Sequence, residues 1–159
     1  MDKSVAGALV IFMAIAVRQS DGDAEPLPVA QTYLAAYQAQ DFAALESIYA
    51  ENAVFIDPTS FDVGAITPPI DWHGRDAILD GLRSWNVERL EYDIDREYEA
   101  SGRTVFDGAV TAVYALESGE RHYRFPIVTI ITVEDGEVVE HRDYTNYAGM
   151  RQLSPPGAQ

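Results

Sequence analysis

Residues 136–147 read GEVVEHRDYTNY, a stretch whose alternating pattern is typical of a β-strand. Successive side chains of a strand point to opposite faces, so His141 and Asp143 share a face with Val139. An imidazole and a carboxyl group on a face that begins apolar indicate a polar patch inside a pocket. The alternative is a solvated strand that happens to be rich in charge, because charged residues are mostly exposed.

The strands before this stretch are joined to it by short turns. Period-two alternation starts at Glu88 and continues through Arg103–Leu116 and Arg121–Val133. Tight turns between long strands predict an antiparallel meander. Gly108 lies inside one of these strands and indicates a bulge or bend, which curves a sheet.

Three helices are predicted before the strands. An apolar stripe at i, i+4 spacing that includes Tyr33 and Tyr37 predicts the first helix. Asp41 is suited to be the N-cap of a second helix, and a third is expected from about Gly74. Helices followed by a run of antiparallel strands predict an α+β domain whose helices cover one face of the sheet.

A second carboxyl group, Asp57, follows the short strand formed by residues 53–56 and precedes Pro58. Proline holds the preceding residue in an extended conformation, so Asp57 belongs to the strand end and shares a face with Phe55. It points inward if Phe55 is core; otherwise it opens the following turn, as aspartate often does. The long irregular segment that follows, Thr59–His73, is typical of a lid or a binding loop.

Composition excludes several classes of function. The chain has 159 residues, a net charge of -15 and no cysteine. Such a chain does not neutralise phosphates, so we expect no nucleic-acid partner. Without cysteine there are no disulfides, thiol nucleophiles or thiolate metal sites. His73, His122 and His141 have no clustered ligand spacing and no glycine-rich phosphate loop is present, so we expect no metal and no cofactor.

The first 24 residues have the pattern of an export signal. Lys3 precedes a run of apolar residues and glycine from Val5 to Val17, which is too short to cross a bilayer core. Its length fits the apolar region of a signal peptide, and Gly22-Asp23-Ala24 supplies a small-x-small cleavage site. A short membrane anchor and a disordered leader are the alternatives.

Cleavage after residue 24 divides the chain into a signal peptide at 1–24, a domain at 25–153 and a flexible tail at 154–159. We therefore expect a periplasmic or secreted protein that does not associate with a membrane once its signal is removed.

The order of elements and three stretches together resemble the nuclear transport factor 2-like, or SnoaL-like, superfamily. The stretches are TYLAAYQAQDFAALESIYAENAVFIDP at 32–58, HGRDAI at 73–78 and DGEVVEHRDYTNY at 135–147. The resemblance implies a cone-shaped, strongly curved antiparallel sheet wrapped on three N-terminal helices around an apolar pocket. Because this scaffold hosts enzymes and binding modules alike, it implies a fold more than a function.

Three groups within the superfamily suggest chemistry. By resemblance to the ketosteroid isomerases, Tyr33 takes the place of an oxyanion-hole donor and Asp57 that of the general base. Their second, acidic oxyanion donor falls on Val128 or Thr129, neither of which is an acid. Limonene epoxide hydrolases are similar at RDY, which places their catalytic acid on Asp143. The polyketide cyclases also use an acidic residue for proton transfer.

The resemblance implies a pocket with catalytic and substrate-binding side chains. The predicted catalytic residues are Asp57, Asp143, Tyr33 and His141, with Asp57 and Asp143 approaching each other and His141 either orienting Asp143 or shuttling the proton. The predicted substrate-binding residues are Phe55, Trp72, Thr111, Ile127, Thr129 and Tyr37.

These residues favour cofactor-free acid/base proton transfer, of the isomerase, cyclase or dehydratase type, on a small apolar oxygenated molecule. A non-catalytic carrier of such a ligand and an epoxide hydrolase-like addition of water are the alternatives. Arg142 and Tyr144 face away from the predicted pocket, and they mark the outer sheet face as a homodimer contact.

Overall fold

The computed structural model describes residues 25–154. The predicted signal peptide at 1–24 and the tail beyond residue 154 therefore lie outside the described residues. The helices are α1 (Pro26–Ala39), α2 (Phe42–Ile48) and α3 (Arg75–Ser84). The strands are β1 (Tyr49–Ile56), β2 (Asp71–His73), β3 (Arg89–Ala100), β4 (Arg103–Leu116), β5 (Gly119–Glu134), β6 (Glu137–Thr145) and β7 (Arg151–Leu153).

Local sequence signals account for the helix boundaries. Proline occupies the first turn of α1, where its missing N–H costs nothing, and Gln40 ends the helix in the left-handed conformation with φ 53°. Asp41 caps α2 by accepting a hydrogen bond from the Ala44 N–H at 3.0 Å, as predicted. The predicted third helix is confirmed, with Gly74 as its N-cap.

The strands form one open, curved sheet in the order β2-β1-β6-β5-β4-β3, with β7 paired to β5. The α+β fold with three helices and a curved sheet is confirmed. The sheet is mixed, however, because β1 runs parallel to β6, whereas all other described strand pairs of the sheet are antiparallel. Strand β6, which contains most of the stretch 136–147, therefore lies in the middle of the sheet, between β1 and β5, instead of at an edge.

The predicted bulge at Gly108 is present. The pairing of β3 with β4 shifts register between Ile94 and Arg96, opposite Gly108. A Cβ on residue 108 would lie 2.1 Å from the backbone oxygen of Asp93, so only glycine permits this approach. Beyond Tyr92, the side chains of β3 are exposed on both faces of this terminal strand.

One hydrophobic core joins the helices to the concave side of the sheet. Tyr33 and Tyr37 of α1 are almost fully buried, as are Phe106, Ile131 and Val138 of the sheet. No helix in the described part of the chain is long and apolar enough to cross a membrane.

Candidate functional site

A cavity of about 610 Å³ lies between the concave side of the sheet, α3 and the segment that joins β1 to β2. This volume is within the range of small-molecule sites, roughly 300–1,000 Å³. Most of its lining is apolar, from Val63, Ile66, Ile70, Trp72, Trp85, Val87, Leu90, Val110, Ala112, Phe125, Ile127 and Met150. The polar lining side chains include Tyr37, Asp57, Tyr92, Asp143 and Tyr147.

The segment between β1 and β2 forms one wall of this cavity. Six residues between positions 63 and 70 line it, as expected for a binding loop. Ser60 fixes the base of the segment: its hydroxyl donates to the Asp57 backbone oxygen at 2.7 Å and accepts from the Ile70 N–H at 2.9 Å. The wall is therefore tied to the end of β1, where Asp57 lies.

Asp143 reaches the cavity from β6, because strand alternation turns it to the concave side of the sheet. Its Oδ1 accepts hydrogen bonds from the Thr129 hydroxyl at 2.5 Å and from His141 Nε2 at 2.9 Å. Its Oδ2 has no hydrogen-bond partner among the described residues. Oδ2 is thus the carboxylate oxygen that a ligand can meet.

His141 lies behind Asp143 and is fully buried. Its ring stacks on Phe55, with centroids 4.0 Å apart and planes 9° from parallel. A carboxylate can only accept, so Nε2 carries the proton that faces Asp143. In the neutral ring, Nδ1 then accepts from the Tyr33 hydroxyl 2.5 Å away, which in turn contacts the Tyr49 hydroxyl.

Asp57 meets the same cavity from the end of β1. It is 1% exposed, and it accepts hydrogen bonds from the Thr59 N–H at 2.9 Å and the Tyr147 hydroxyl at 2.7 Å. The Thr59 hydroxyl also contacts Asp57 Oδ1. No hydrogen bond joins Asp57 to Asp143 in residues 25–154, so each carboxyl group has its own set of donors.

Four tyrosines line the cavity, and the hydroxyl groups of Tyr37, Tyr92 and Tyr147 bear on its chemistry. The Tyr92 hydroxyl lies 3.0 Å from Thr129 Oγ1, and the Tyr147 hydroxyl is bonded to Asp57. The Tyr37 hydroxyl has no hydrogen-bond partner among the described residues. Burial, followed by the nearby Tyr92 and Asp143, raises the pKa of Tyr37 well above its usual 10.0, so this hydroxyl remains a donor.

The structure places all but one of the predicted site residues in two groups. Asp57, Asp143, Tyr37, Trp72 and Ile127 line the cavity. Tyr33, Phe55, Thr129 and His141 form a layer behind it, where they pack against or bond to the lining residues. Thr111 belongs to neither group.

The placement of Thr111 in the pocket is wrong. Val110 and Ala112 of β4 line the cavity, so alternation turns Thr111 to the opposite face of the sheet. There it pairs in register with Glu91 and Arg124. Which of the two alternating sets of β4 side chains faces the cavity decides the position of Thr111. Because both sets of this strand are largely apolar, the sequence pattern does not show which set faces inward.

Tyr92, Trp85, Phe125 and Tyr147 line the cavity but were not predicted there. Sequence signals could have found two of them, Tyr147 and Tyr92. Tyr147 has the same parity as His141 and Asp143 in the stretch 136–147. Tyr92 begins the apolar parity set of β3, in a strand whose other set is acidic.

No group of three or more His, Asp or Glu side chains within residues 25–154 is arranged to hold a metal ion.

Comparison with known proteins identifies one family. The sequence profile described as "SnoaL-like domain" matches residues 30–141. No curated protein matches the chain.

Solved structures match through the fold. A protein of Shewanella putrefaciens CN-32, classed as a SnoaL-like polyketide cyclase, has 21% identity and a TM-score of 0.66, over 77% of this chain and 90% of that one. The Δ5-3-ketosteroid isomerase of a Mycobacterium species has 17% identity and a TM-score of 0.67, over 82% of this chain and 100% of that one. A protein of Catenulispora acidiphila DSM 44928 with a ketosteroid isomerase-like fold, in complex with trimethylamine, has 15% identity and a TM-score of 0.55. The match covers 73% of this chain and 83% of that one. At these identities the likeness shows the shared fold.

Proposed function

The chain belongs to the SnoaL-like domain family, and from this membership we propose that it is a cofactor-free enzyme that transfers a proton on a small apolar oxygenated molecule. The reaction is an isomerisation, an aldol-type cyclisation or a dehydration. One observation carries the proposal: Asp143 and Tyr37 line the same mostly apolar cavity, and Asp143 Oδ2 and the Tyr37 hydroxyl have no hydrogen-bond partner among the described residues.

The proton transfer uses Asp143 as the base. Its Oδ2 removes a proton from a carbon next to a carbonyl group, and the electron pair of the broken C–H bond moves to the carbonyl oxygen. The Tyr37 hydroxyl donates a hydrogen bond to that oxygen as it becomes negative. Asp143 then returns the proton to another carbon of the same molecule, which completes an isomerisation.

Positioning residues fix the base in place. Thr129 and His141 both hold Oδ1 of Asp143, which directs Oδ2 into the cavity. Tyr33 holds His141 from behind. The resemblance implied that Tyr33 is the oxyanion donor, but its hydroxyl is occupied by Tyr49 and His141, so the proposal assigns that role to Tyr37.

The test begins with the ligand. Mass spectrometry of the purified protein identifies any bound molecule, and deuterium uptake from D2O at carbons beside its carbonyl measures proton removal. Asp143→Asn should lower the rate by about 10²- to 10⁴-fold, the usual contribution of a general base. Asp95→Asn, which removes the same charge from an exposed position on β3, is the matched control. Wild-type rates in Asp143→Asn would refute the proposal.

A carrier without catalysis is the second candidate. It is favoured by the mostly apolar lining of the cavity and by the small ligand bound in the Catenulispora neighbour. A ligand that returns unchanged after prolonged incubation with the wild-type protein would support it. Water addition of the epoxide hydrolase type has less support. By the resemblance to limonene epoxide hydrolases, their arginine and second aspartate fall on Ala109 and Thr111, which are neither basic nor acidic and do not line the cavity.

Export and dimerisation remain proposals. Protein recovered from native cells should begin near Glu25, and an intact Met1 would contradict export. Tyr144 on the outer sheet face is 41% exposed, which leaves it available to a second copy. Light scattering should give a dimer for the wild type and a monomer for Tyr144→Asp; a wild-type monomer would remove the dimer proposal.

A further inference from the structure

The charges that face the cavity are all negative. Asp57 and Asp143 are 1% and 4% exposed, and both line it. Among the described residues that line the cavity, none is lysine, arginine or histidine. A ligand therefore meets two carboxyl groups and no basic side chain.

The hydrogen bonds around these groups suit ionised carboxylates. Asp57 accepts from the Thr59 N–H and the Tyr147 hydroxyl, and Asp143 accepts from Thr129 and His141. The Thr59 N–H can only donate, and the hydroxyls of Thr129 and Tyr147 can donate as well, which suits the acceptor-only oxygens of a carboxylate. Asp57 also has no ion pair in the described part of the chain, so its charge is offset by hydrogen bonds alone. Burying such a charge without a counter-ion is costly.

Aromatic rings are concentrated at the same cavity. Aromatic residues make up 11% of the chain, but the lining contains Tyr37, Trp72, Trp85, Tyr92, Tyr114, Phe125 and Tyr147. The Trp72 and Trp85 rings lie 5.5 Å apart, and the Phe125 and Tyr147 rings 6.1 Å apart. Ring faces attract cations through their quadrupole, and most strongly where water is excluded.

We propose that the otherwise apolar molecule bound in this cavity carries an alkylated ammonium group, tertiary or quaternary. The inference rests on the proposed function in that the same molecule presents its carbonyl to Asp143 and Tyr37. The ammonium group lies beside Asp57, against the rings of Tyr147 and Phe125. The positive charge of the ligand then supplies the counter-ion that Asp57 lacks.

Alkylation of the ammonium group follows from the hydrogen bonding. A primary ammonium has three N–H donors and needs acceptors for them. Both oxygens of Asp57 already accept bonds, from Thr59 and Tyr147. An alkylated nitrogen needs few acceptors or none, and its methyl groups pack on aromatic faces. The net charge of -15 acts in the same direction, because it attracts cations and repels anionic ligands.

An isosteric pair of probes tests the charge by itself. Acetylcholine and its neutral carbon analogue 3,3-dimethylbutyl acetate have the same shape and the same ester carbonyl. The two tryptophans of the chain, Trp72 and Trp85, both line the cavity, so their fluorescence in the full-length protein reports binding. We expect acetylcholine to bind at least about tenfold more tightly, as one to two cation–π contacts would give.

Two variants show whether the preference for acetylcholine over the neutral ester depends on Asp57. Asp57→Asn should reduce the ratio of the two affinities towards one, while the neutral ester still binds, which shows that the variant is folded. Asp95→Asn removes the same charge from the surface and should leave the ratio unchanged. If Asp57→Asn does not fold, Phe125→Leu should lower the ratio by removing one ring.

The outcomes separate this inference from the proposed function. Equal or tighter binding of the neutral ester, or no binding of acetylcholine, overturns the ammonium inference even if Asp143-dependent proton exchange is found. A preference for acetylcholine that Asp57→Asn abolishes supports the inference, whether or not any proton exchange is detected. An equal loss of preference in Asp95→Asn would also overturn it.

Discussion

At the level of single residues, Asp143 is held through one carboxylate oxygen while the other remains open. Thr129 and His141 both bond to Oδ1, and Tyr33 bonds to the far side of His141. A base that is fixed on one side loses little freedom when a substrate arrives at the other, so its orientation is set before binding. In the proposed reaction, Tyr33 and Tyr49, which lie behind Asp143, therefore contribute to the position of the carboxylate and not to contact with the substrate.

Two tyrosine variants distinguish these roles. Tyr33→Phe leaves His141 Nδ1 and the Tyr49 hydroxyl without their common buried partner, and it should lower the free energy of unfolding by about 1–3 kcal/mol. Tyr37→Phe removes a hydroxyl that has no partner among the described residues, so it should change stability by less than about 0.5 kcal/mol. Its turnover should fall by about 10²- to 10³-fold, as for the loss of an oxyanion donor. Urea unfolding and turnover measure the two effects.

Each tyrosine variant has an outcome that would contradict the role assigned to it. A Tyr37→Phe protein that keeps wild-type turnover would remove Tyr37 from the reaction. A Tyr33→Phe protein of unchanged stability would show that the hydrogen bonds linking Tyr49, Tyr33, His141 and Asp143 do not stabilise the fold.

The sequence predicted which face of the sheet a side chain occupies where alternation was clear. In β6 the polar residues mark their own parity, and His141 and Asp143 lie on the concave side as expected. In β4 apolar residues occupy both parities, so Thr111 was placed on the wrong face. In α1, Tyr33 and Tyr37 are one turn apart on the same stripe, and only the position of the sheet shows which hydroxyl reaches the cavity.

At the level of elements, α3 and β2 meet through a glycine. A Cβ on Gly81 would lie 2.5 Å from the Trp72 ring, so the tryptophan lies directly on the helix backbone. Both residues line the cavity. The close approach of this helix to this strand therefore sets the position of one aromatic wall.

Gly81→Ala should move that wall. Alanine favours the helix by about 1 kcal/mol over glycine, whereas overpacking costs about 1–3 kcal/mol. Because the Trp72 ring can shift into the cavity, we expect a loss of stability below about 2 kcal/mol. Ligand affinity should fall more clearly, with a change in tryptophan fluorescence.

Gly64→Ala is the matched control, since nothing lies within 4 Å of a Cβ at that position. Unaltered affinity in Gly81→Ala would mean that Trp72 does not limit the space available to the ligand.

At the level of the whole molecule, the order of helices and strands was sufficient to predict the fold class. Each antiparallel pair of the meander follows from a short turn, which is local information. The parallel pairing of β1 with β6 joins distant parts of the chain, for example Phe55 with His141. No turn specifies such a pairing, so the central place of β6 in the sheet was not evident from local sequence.

Buried tyrosines make the stability of the whole molecule sensitive to alkali. Burial raises the pKa of Tyr33, Tyr37 and Tyr92 well above 10.0. In the unfolded chain these groups ionise near pH 10, so above that pH the folded state binds more protons than the unfolded state. Stability is therefore full below about pH 10 and should fall steadily as the pH rises further.

Urea unfolding midpoints between about pH 9 and pH 11 measure this effect. Tyr37→Phe should make the decline shallower, and Tyr98→Phe, at a residue that is 50% exposed, should leave it unchanged. A midpoint independent of pH across this range would contradict the burial of ionisable hydroxyls.

The terminal strand β3 has a consequence for how copies of the molecule meet. An unpaired strand edge is a template on which another chain can add a strand and begin a fibre. Here that edge carries Glu91, Asp93, Asp95, Glu97 and Glu99, and the bulge opposite Gly108 interrupts its regular ladder. Two such edges repel each other, so the acidic edge of the terminal strand β3 also disfavours amyloid-like growth.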